Sequence, residues 1–363
     1  LAAVLVVHSP LHALHDPASE VLGGMRVPMH ESPDRAEAIR AALAADPTFT
    51  FTEPSDHGTD AIAAVHDPGL VDFLANVWSR YDAQRGPDGP RELITDAFFL
   101  PGMVEGMGVG RMPRQSGLGS VGYWIGDTST PIVEGTYRAA RSAVDVALES
   151  VDRVLAGDER VVYGLCRPPG HHAAHRLIAG YCFFNNAAIA AHQAVEHTHG
   201  KVVVLDVDYH HGNGTQQIFY GRDDVMYVSL HGDPDRAYPY FVGYADETGA
   251  GKGAHANLNL PLPLACDDRT FLDRLDEACE AAARFRPEFA VVSLGVDTYR
   301  EDPLSDLDVT QEIFGASGAR VADLGLPMVV LQEGGYFGPQ LGENVRLWLR
   351  GTTTPSAAGS TPG

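Results

Sequence analysis

Short apolar runs alternate with longer amphipathic stretches along the chain. The runs include LAAVLVV at 1–7, ERVVYGLC at 159–166, KVVVLDVD at 201–208, FAVVSLGVD at 289–297 and PMVVLQEGG at 327–335. Such runs, rich in β-branched residues and bounded by turn signals, read as buried strands. Their alternation with helical stretches predicts an α/β chain whose parallel sheet is covered by helices on both faces. The pattern predicts helices from Pro33 to about Ala45, from Glu134 to Leu155, and from Asn185 to about His197. Others are expected over Arg269–Arg284, Gln311–Leu324 and Glu343–Leu349. Ser32-Pro33-Asp34 carries a capping serine, a proline at the first helical position and an early acid.

Two regions break the rhythm. Residues 85–130 are rich in Gly, Met and Pro and read as a long loop of the kind that covers a site or an interface. The end, TTTPSAAGSTPG, is low in complexity and is expected to be disordered from residue 352. Nothing between resembles a linker, so residues 1–351 are expected to form a single domain.

Composition narrows the function classes. A formal net charge of −22 argues against a nucleic-acid partner, which needs a basic face. No apolar run approaches the roughly 18 residues needed to cross a membrane. The four cysteines, Cys166, Cys182, Cys266 and Cys279, form no CxxC pair and read as reduced thiols of a cytoplasmic protein.

The unusual residues collect where strands end. The strand at 159–166 runs into RPPGHH, with His171 and His172. The strand from Val202 ends in Asp206, Asp208, His210 and His211, the one from Phe289 at Asp297, and the one from Met328 in Glu333-Gly-Gly-Tyr336. Ligands of an open parallel sheet bind beyond the carboxyl ends of its strands. Period-two spacing lets Asp206, Asp208 and His210 project together. Asp208 and His210, joined by Asp297, make a donor set suited to Zn²⁺ or Fe²⁺ with a coordination position left open. The histidine pair can supply a base and a charged neighbour, with Asp206 and Asn213 available to orient the two rings. Tyr336 can donate to a developing oxyanion. No HExxH helix is present, and Thr298 and Tyr299 stand where a two-metal hydrolase would want a second carboxylate. His8, His12 and His15 could bind metal but are expected to serve a loop or surface role.

RPPGHHA, LDVDYHHGNGTQQIFY, YVSLHGDP, VVSLGVDTYREDPLS and QEGGY resemble the motifs of the histone deacetylase superfamily, nearest to its bacterial acetylpolyamine amidohydrolases. The resemblance implies the arginase–deacetylase fold, with a central, mainly parallel sheet of about eight strands. It implies zinc ligands at Asp208, His210 and Asp297, a general base and acid at His172, and electrostatic support at His171. Asp206 would hold His171, Asn213 would hold His172, and Tyr336 would polarise the scissile carbonyl. Gly180, Tyr181 and Tyr238 would line a substrate tunnel. A structural K⁺ site is implied at Asp206, Asp208, His210, Ser229 and Leu230.

The resemblance implies acetyl removal from small acylated amines such as acetylpolyamines, by a homodimer whose long loop closes the channel. The glutamates expected on that loop are replaced by Leu118 and Ser129, leaving Asp127 and Glu105 as nearby carboxylates, and a first-loop aromatic is replaced by Leu22. A less acidic entrance suits acetyl-lysine or another N-acyl amine. A catalytically silent binder of acetylated ligands is a third reading, which the intact residue set speaks against.

Overall fold

In the computed structural model, residues 3–100, 103, 105, 107, 118–157 and 159–353 are described. The remainder of the long Gly/Met-rich segment, the side chain of Leu118 and the tail beyond Thr353 lie outside the described residues.

Eight parallel strands form one sheet. They are β1 (Val4–Val7), β4 (Phe49–Thr52), β5 (Val161–Gly164), β6 (Val202–Asp206), β7 (Val225–Gly232), β8 (Asn257–Leu262), β9 (Phe289–Leu294) and β10 (Met328–Gln332), in the order β4-β1-β5-β10-β9-β6-β7-β8. A separate antiparallel hairpin pairs β2 (Ser19–Leu22) with β3 (Met25–Pro28). The four strands whose ends carry the chemistry, β5, β10, β9 and β6, are adjacent at the centre of the sheet. That adjacency brings four distant stretches of chain to one edge.

The central strands are apolar on both faces because both are covered. Val202 and Val204 of β6 pack into one core while Val203 and Leu205 pack into the other. The first core takes in α5 (Thr136–Leu155) and α6 (Asn186–Thr198), with α2 (Asp60–Val65), α3 (Pro68–Arg85) and α4 (Leu118–Trp124). The second takes in α1 (Pro33–Ala44), α8 (Asp268–Phe285), α9 (Ile313–Ala322) and α10 (Gly338–Thr352). Each fully buried Val or Leu contributes roughly 1.5–3 kcal/mol.

The structure departs from the sequence expectations at several elements. Ser32 occupies the N-cap of α1 in extended backbone, yet its side chain makes no capping hydrogen bond. The last helix begins at Gly338 rather than Glu343, with Pro339 in its first turn, where the missing N–H costs nothing. The segment expected to be one loop over 85–130 contains α4, whose Gly122 is pressed so tightly on the Ala97 carbonyl that a Cβ would collide with it. All four cysteines are free, three of them buried. No helix among the described residues is long and apolar enough to cross a membrane.

Candidate active site

The loop after β5 carries the histidine pair and is clamped from beneath. The backbone N–H groups of Gly170 and His171 donate to Oε2 of Glu333 at 2.7 and 3.1 Å, and the Ser293 hydroxyl donates to its Oε1 at 3.2 Å. Burial pushes the Glu333 carboxyl up to about 7, with His171 opposing. A second clamp is a buried Arg–Glu–Arg triad. Arg167 Nε and Arg35 Nη1 both donate to Glu31 Oε1, at 2.8 and 2.7 Å. Arg35 also donates to the carbonyls of Gly335 and Glu333, and its guanidinium lies 4.6 Å from the Tyr336 ring centre. The Tyr336 and Phe337 N–H groups donate to Asp302 Oδ2 at 2.6 and 3.1 Å. The ends of β5 and β10 are thereby held together by groups that make no appeal to loop flexibility.

The two imidazoles, 4.1 Å apart between ring centres, have different partners. His171 Nδ1 lies 3.1 Å from Asp206 Oδ2, which also accepts from the Tyr227 hydroxyl. His172 Nδ1 lies 2.7 Å from Asn213 Oδ1. Burial opposes charge on His171, but Asp208 and Asp206 overcome it and hold its pKa up to about 10. Burial, with His171 and His210 adding to it, pushes His172 well below the ordinary imidazole value. One ring is therefore charged and its neighbour neutral at neutral pH.

Asp208, His210 and Asp297 each offer a donor atom, all within 4.8 Å of one another. His210 Nδ1 lies 3.0 Å from Asp297 Oδ2 and 3.3 Å from Asp208 Oδ1. Burial, with repulsion from Asp208, pushes Asp297 up to about 7. Two buried carboxylates facing each other across one imidazole are costly without a cation between them. The donor set, two oxygens and one nitrogen, fits a divalent metal such as Zn²⁺ or Fe²⁺. Neighbouring backbone crowds the same carboxylates: a Cβ on Gly295 or Gly334 would collide with Asp208, and one on Gly334 also with Asp297. Glycine at 334 is thus required by close approach, while Gly335 alone takes a left-handed φ, of 122°.

Above this floor opens a pocket of about 300 Å³, lined by His172, His210, Tyr336, Gly180, Tyr181 and Tyr238, and also by Leu22, Ser129, Arg236 and Tyr240. The Tyr238 ring stands edge-on to His172 at 4.9 Å. Gly180 has a φ of 55°, and a Cβ there would strike the His172 ring. Tyr181 donates its hydroxyl to the buried Glu20 of β2 at 2.8 Å. Asp127 turns inward. Its Oδ2 accepts from Gly180 N–H and the Tyr238 hydroxyl at 2.6 and 2.8 Å, and its Oδ1 accepts from Ser129 N–H and the Thr130 hydroxyl.

Residues 29–352 match the histone deacetylase domain. The chain belongs to the histone deacetylase family. It is 40% identical over 354 residues to acetylpolyamine amidohydrolase 1 of Pseudomonas aeruginosa, covering 96% of this chain and 98% of that one. It is 40% identical over 346 residues to an acetylpolyamine amidohydrolase of Mycoplana ramosa, covering 95% and 98%. A crystal structure of an acetylpolyamine aminohydrolase from Burkholderia pseudomallei superposes with a TM-score of 0.91 at 39% identity, covering 97% of this chain and 99% of that one.

In this member of the family, the sequence-derived residues fall at one sheet edge. His172, His210 and Tyr336 line the pocket floor and Gly180, Tyr181 and Tyr238 its walls, while His171, Asp206, Asp208, Asn213 and Asp297 are buried behind them. Ser229 is level with Asp206 in the register of β7 against β6, with Leu230 following, and its hydroxyl lies 2.8 Å from His231 Nδ1. Asp127 is no free acidic group for a substrate, because both of its oxygens are engaged by the pocket wall. Sequence reasoning gave no role to Glu31, Arg35, Asp302, Glu333 and Glu20. The proximity of Arg35 to Glu31 at helical spacing was a signal available for one pair of these.

Proposed function

We propose that this chain is a metal-dependent amidohydrolase that removes acetyl groups from small acylated amines such as acetylpolyamines. The observation that carries the reading is a charged and a neutral imidazole side by side, next to a carboxylate–imidazole–carboxylate donor set at a pocket floor. The relatives' names supply the substrate class. Asp208, His210 and Asp297 would hold the metal, Zn²⁺ or Fe²⁺. When bound, such a cation polarises the acyl carbonyl and brings the pKa of water from 15.7 toward about 7.

The chain's own residues do the rest. Asn213 accepts at His172 Nδ1, which leaves Nε2 as the proton acceptor toward the pocket. His172 takes the proton of the attacking water and returns one to the departing amine. His171, kept charged by Asp208 and Asp206, lowers the basicity of its neighbour so that this return is favourable. Tyr336, steadied by Arg35 beneath its ring, donates its hydroxyl to the oxyanion. Tyr181 and Tyr238 exclude water from the walls and align a slender acyl-amine stem.

The same proposal takes residues 1–351 as a single domain, K⁺ at Asp206, Asp208, His210, Ser229 and Leu230 as a structural ion, and the cytoplasm as the compartment. Homodimerisation through the Gly/Met-rich segment is supported by Leu100, Met103 and Met107, each at least 60% exposed.

A second reading rests on one feature of the pocket lining. The pocket lining contains Arg236 and no carboxylate, so a distal ammonium has no acidic partner among the described lining residues. That favours an N-acyl amine without a remote cation, acetyl-lysine included. Acetate release from N-acetylputrescine, N8-acetylspermidine and an acetyl-lysine peptide, measured side by side on zinc-loaded protein, decides between them. Preference for the free polyamines supports the first reading. Better turnover of the peptide supports the second, and hydrolysis of none of the three overturns both.

A further inference from the structure

We infer that His8, His12 and Glu37 form a second divalent-metal site, separate from the candidate active site and independent of the function proposed for it. A ring nitrogen of each histidine and a carboxylate oxygen of Glu37 lie within 4.8 Å of one another. The three come from different elements: His8 follows β1, His12 sits in the 3-10 helix Pro10–Leu14, and Glu37 lies in α1. One feature beyond proximity points to an ion. His8 Nε2 is buried with no hydrogen-bond partner, although an imidazole nitrogen in a protein interior nearly always finds one. Glu37 turns Oε1 toward the histidines, 3.1 Å from His12 Nε2, while Arg40 donates to its Oε2 at 2.9 Å.

Two imidazoles and one carboxylate suit Zn²⁺, Co²⁺ or Ni²⁺ and leave coordination positions for water. His8 and Glu37 also line a groove of about 520 Å³, with Arg40, Phe51, Thr52 and Glu53. An ion here would tie the end of β1, the 3-10 turn and α1 together. The turn is also the anchor of the histidine loop, since Arg167 Nη1 donates to the His12 carbonyl at 2.7 Å. The site would therefore act as a staple for the N-terminal layer rather than as a reaction centre.

Metal stoichiometry on chelator-stripped, folded protein tests this. With Zn²⁺ or Co²⁺ the unaltered chain should take up two equivalents, and His8→Ala and Glu37→Gln should each take up one while retaining acetate release. An Asp297→Asn chain should retain one equivalent, and adding His8→Ala to it should abolish that one. The melting temperature of Asp297→Asn should rise with Zn²⁺, and that of the double variant should not. A single equivalent that survives both His8→Ala and Glu37→Gln would overturn the site. So would two equivalents that neither variant reduces. A single equivalent lost with His8→Ala but kept in Asp297→Asn would leave this site standing and remove the metal from the proposed active site.

Discussion

His172 meets an amide where its neighbour meets a carboxylate: its Nδ1 lies 2.7 Å from Asn213 Oδ1. An amide orients the ring without stabilising its positive charge, which keeps His172 neutral beside the charged His171. Asn213→Asp should reverse that. A carboxylate at this distance favours the imidazolium and raises its pKa. The acidic limb of kcat/KM against pH should move upward accordingly, with turnover reduced most on the acid side of neutrality. An unmoved acidic limb would show that another group sets it.

Tyr336 is held by its backbone on Asp302 and by Arg35 beneath its ring. Removing only the hydroxyl leaves both restraints. Tyr336→Phe should retain metal content and fold while kcat falls by roughly 10²-fold or more, the usual cost of one oxyanion donor. Metal analysis alongside acetate release checks this. Near-normal turnover would sink the role assigned to the hydroxyl.

Asp127 joins Gly180 and Tyr238 through one oxygen. A charged acceptor of this kind contributes about 1.5–3 kcal/mol per hydrogen bond. Asp127→Asn should therefore lower stability and weaken all acyl-amine substrates to a similar degree, because the wall itself loosens. A loss confined to polyamine substrates, with stability unchanged, would instead mark Asp127 as a direct cation partner.

The strands that carry chemistry were legible because their apolar runs break off abruptly into His, Asp and Tyr. The grouping of Asp208, His210 and Asp297, and the partners of both rings, followed from period-two spacing and motif. Edge strands were harder. β4 reads FTFT, with Thr50 and Phe51 exposed, so its pattern lacks the continuous apolar run of a central strand. The α7 helix, Asn213–Phe219, opens on Asn-Gly, a turn signal that local propensity alone would not read as helix. The Arg167 arm of the supporting triad was invisible for a different reason. Glu31 and Arg167 are 136 residues apart, and only the sheet order brings them together. Asp127 shows the limit most clearly: its position beside the entrance was readable, but the inward turn of its carboxylate depends on Gly180 and Tyr238.

Gly334 has no space for a side chain, since a Cβ would collide with both Asp208 and Asp297. Its N–H also donates to Asp208 Oδ2 at 2.7 Å. Gly334→Ala should leave the sheet formed but displace the donor carboxylates, lowering metal affinity by roughly 10–100-fold, as loss of a supporting contact does. Titrating metal into stripped protein measures the change. Unaltered affinity would mean that these carboxylates are not the donors.

A pH-dependent contribution to stability should come from His57, which lies far along the chain from every residue of the pocket. Its Nε2 is 3.2 Å from Asp152 and its Nδ1 3.7 Å from Asp145, both on α5. Asp145, then Asp152, raise its pKa to about 10 against an ordinary value of 6.5, with burial opposing. The raised folded-state value means that the charged ring favours the folded state. Its contribution is full below pH 6.5 and disappears as pH climbs through about 10. His57→Gln should thus be less stable than the unaltered chain at pH 6, and the difference should shrink steadily between pH 7 and 10. Urea denaturation of both proteins at pH 6, 8 and 10 follows this directly. A difference that stays constant across that range would mean that His57 acts through packing, with its charge of no consequence to the fold.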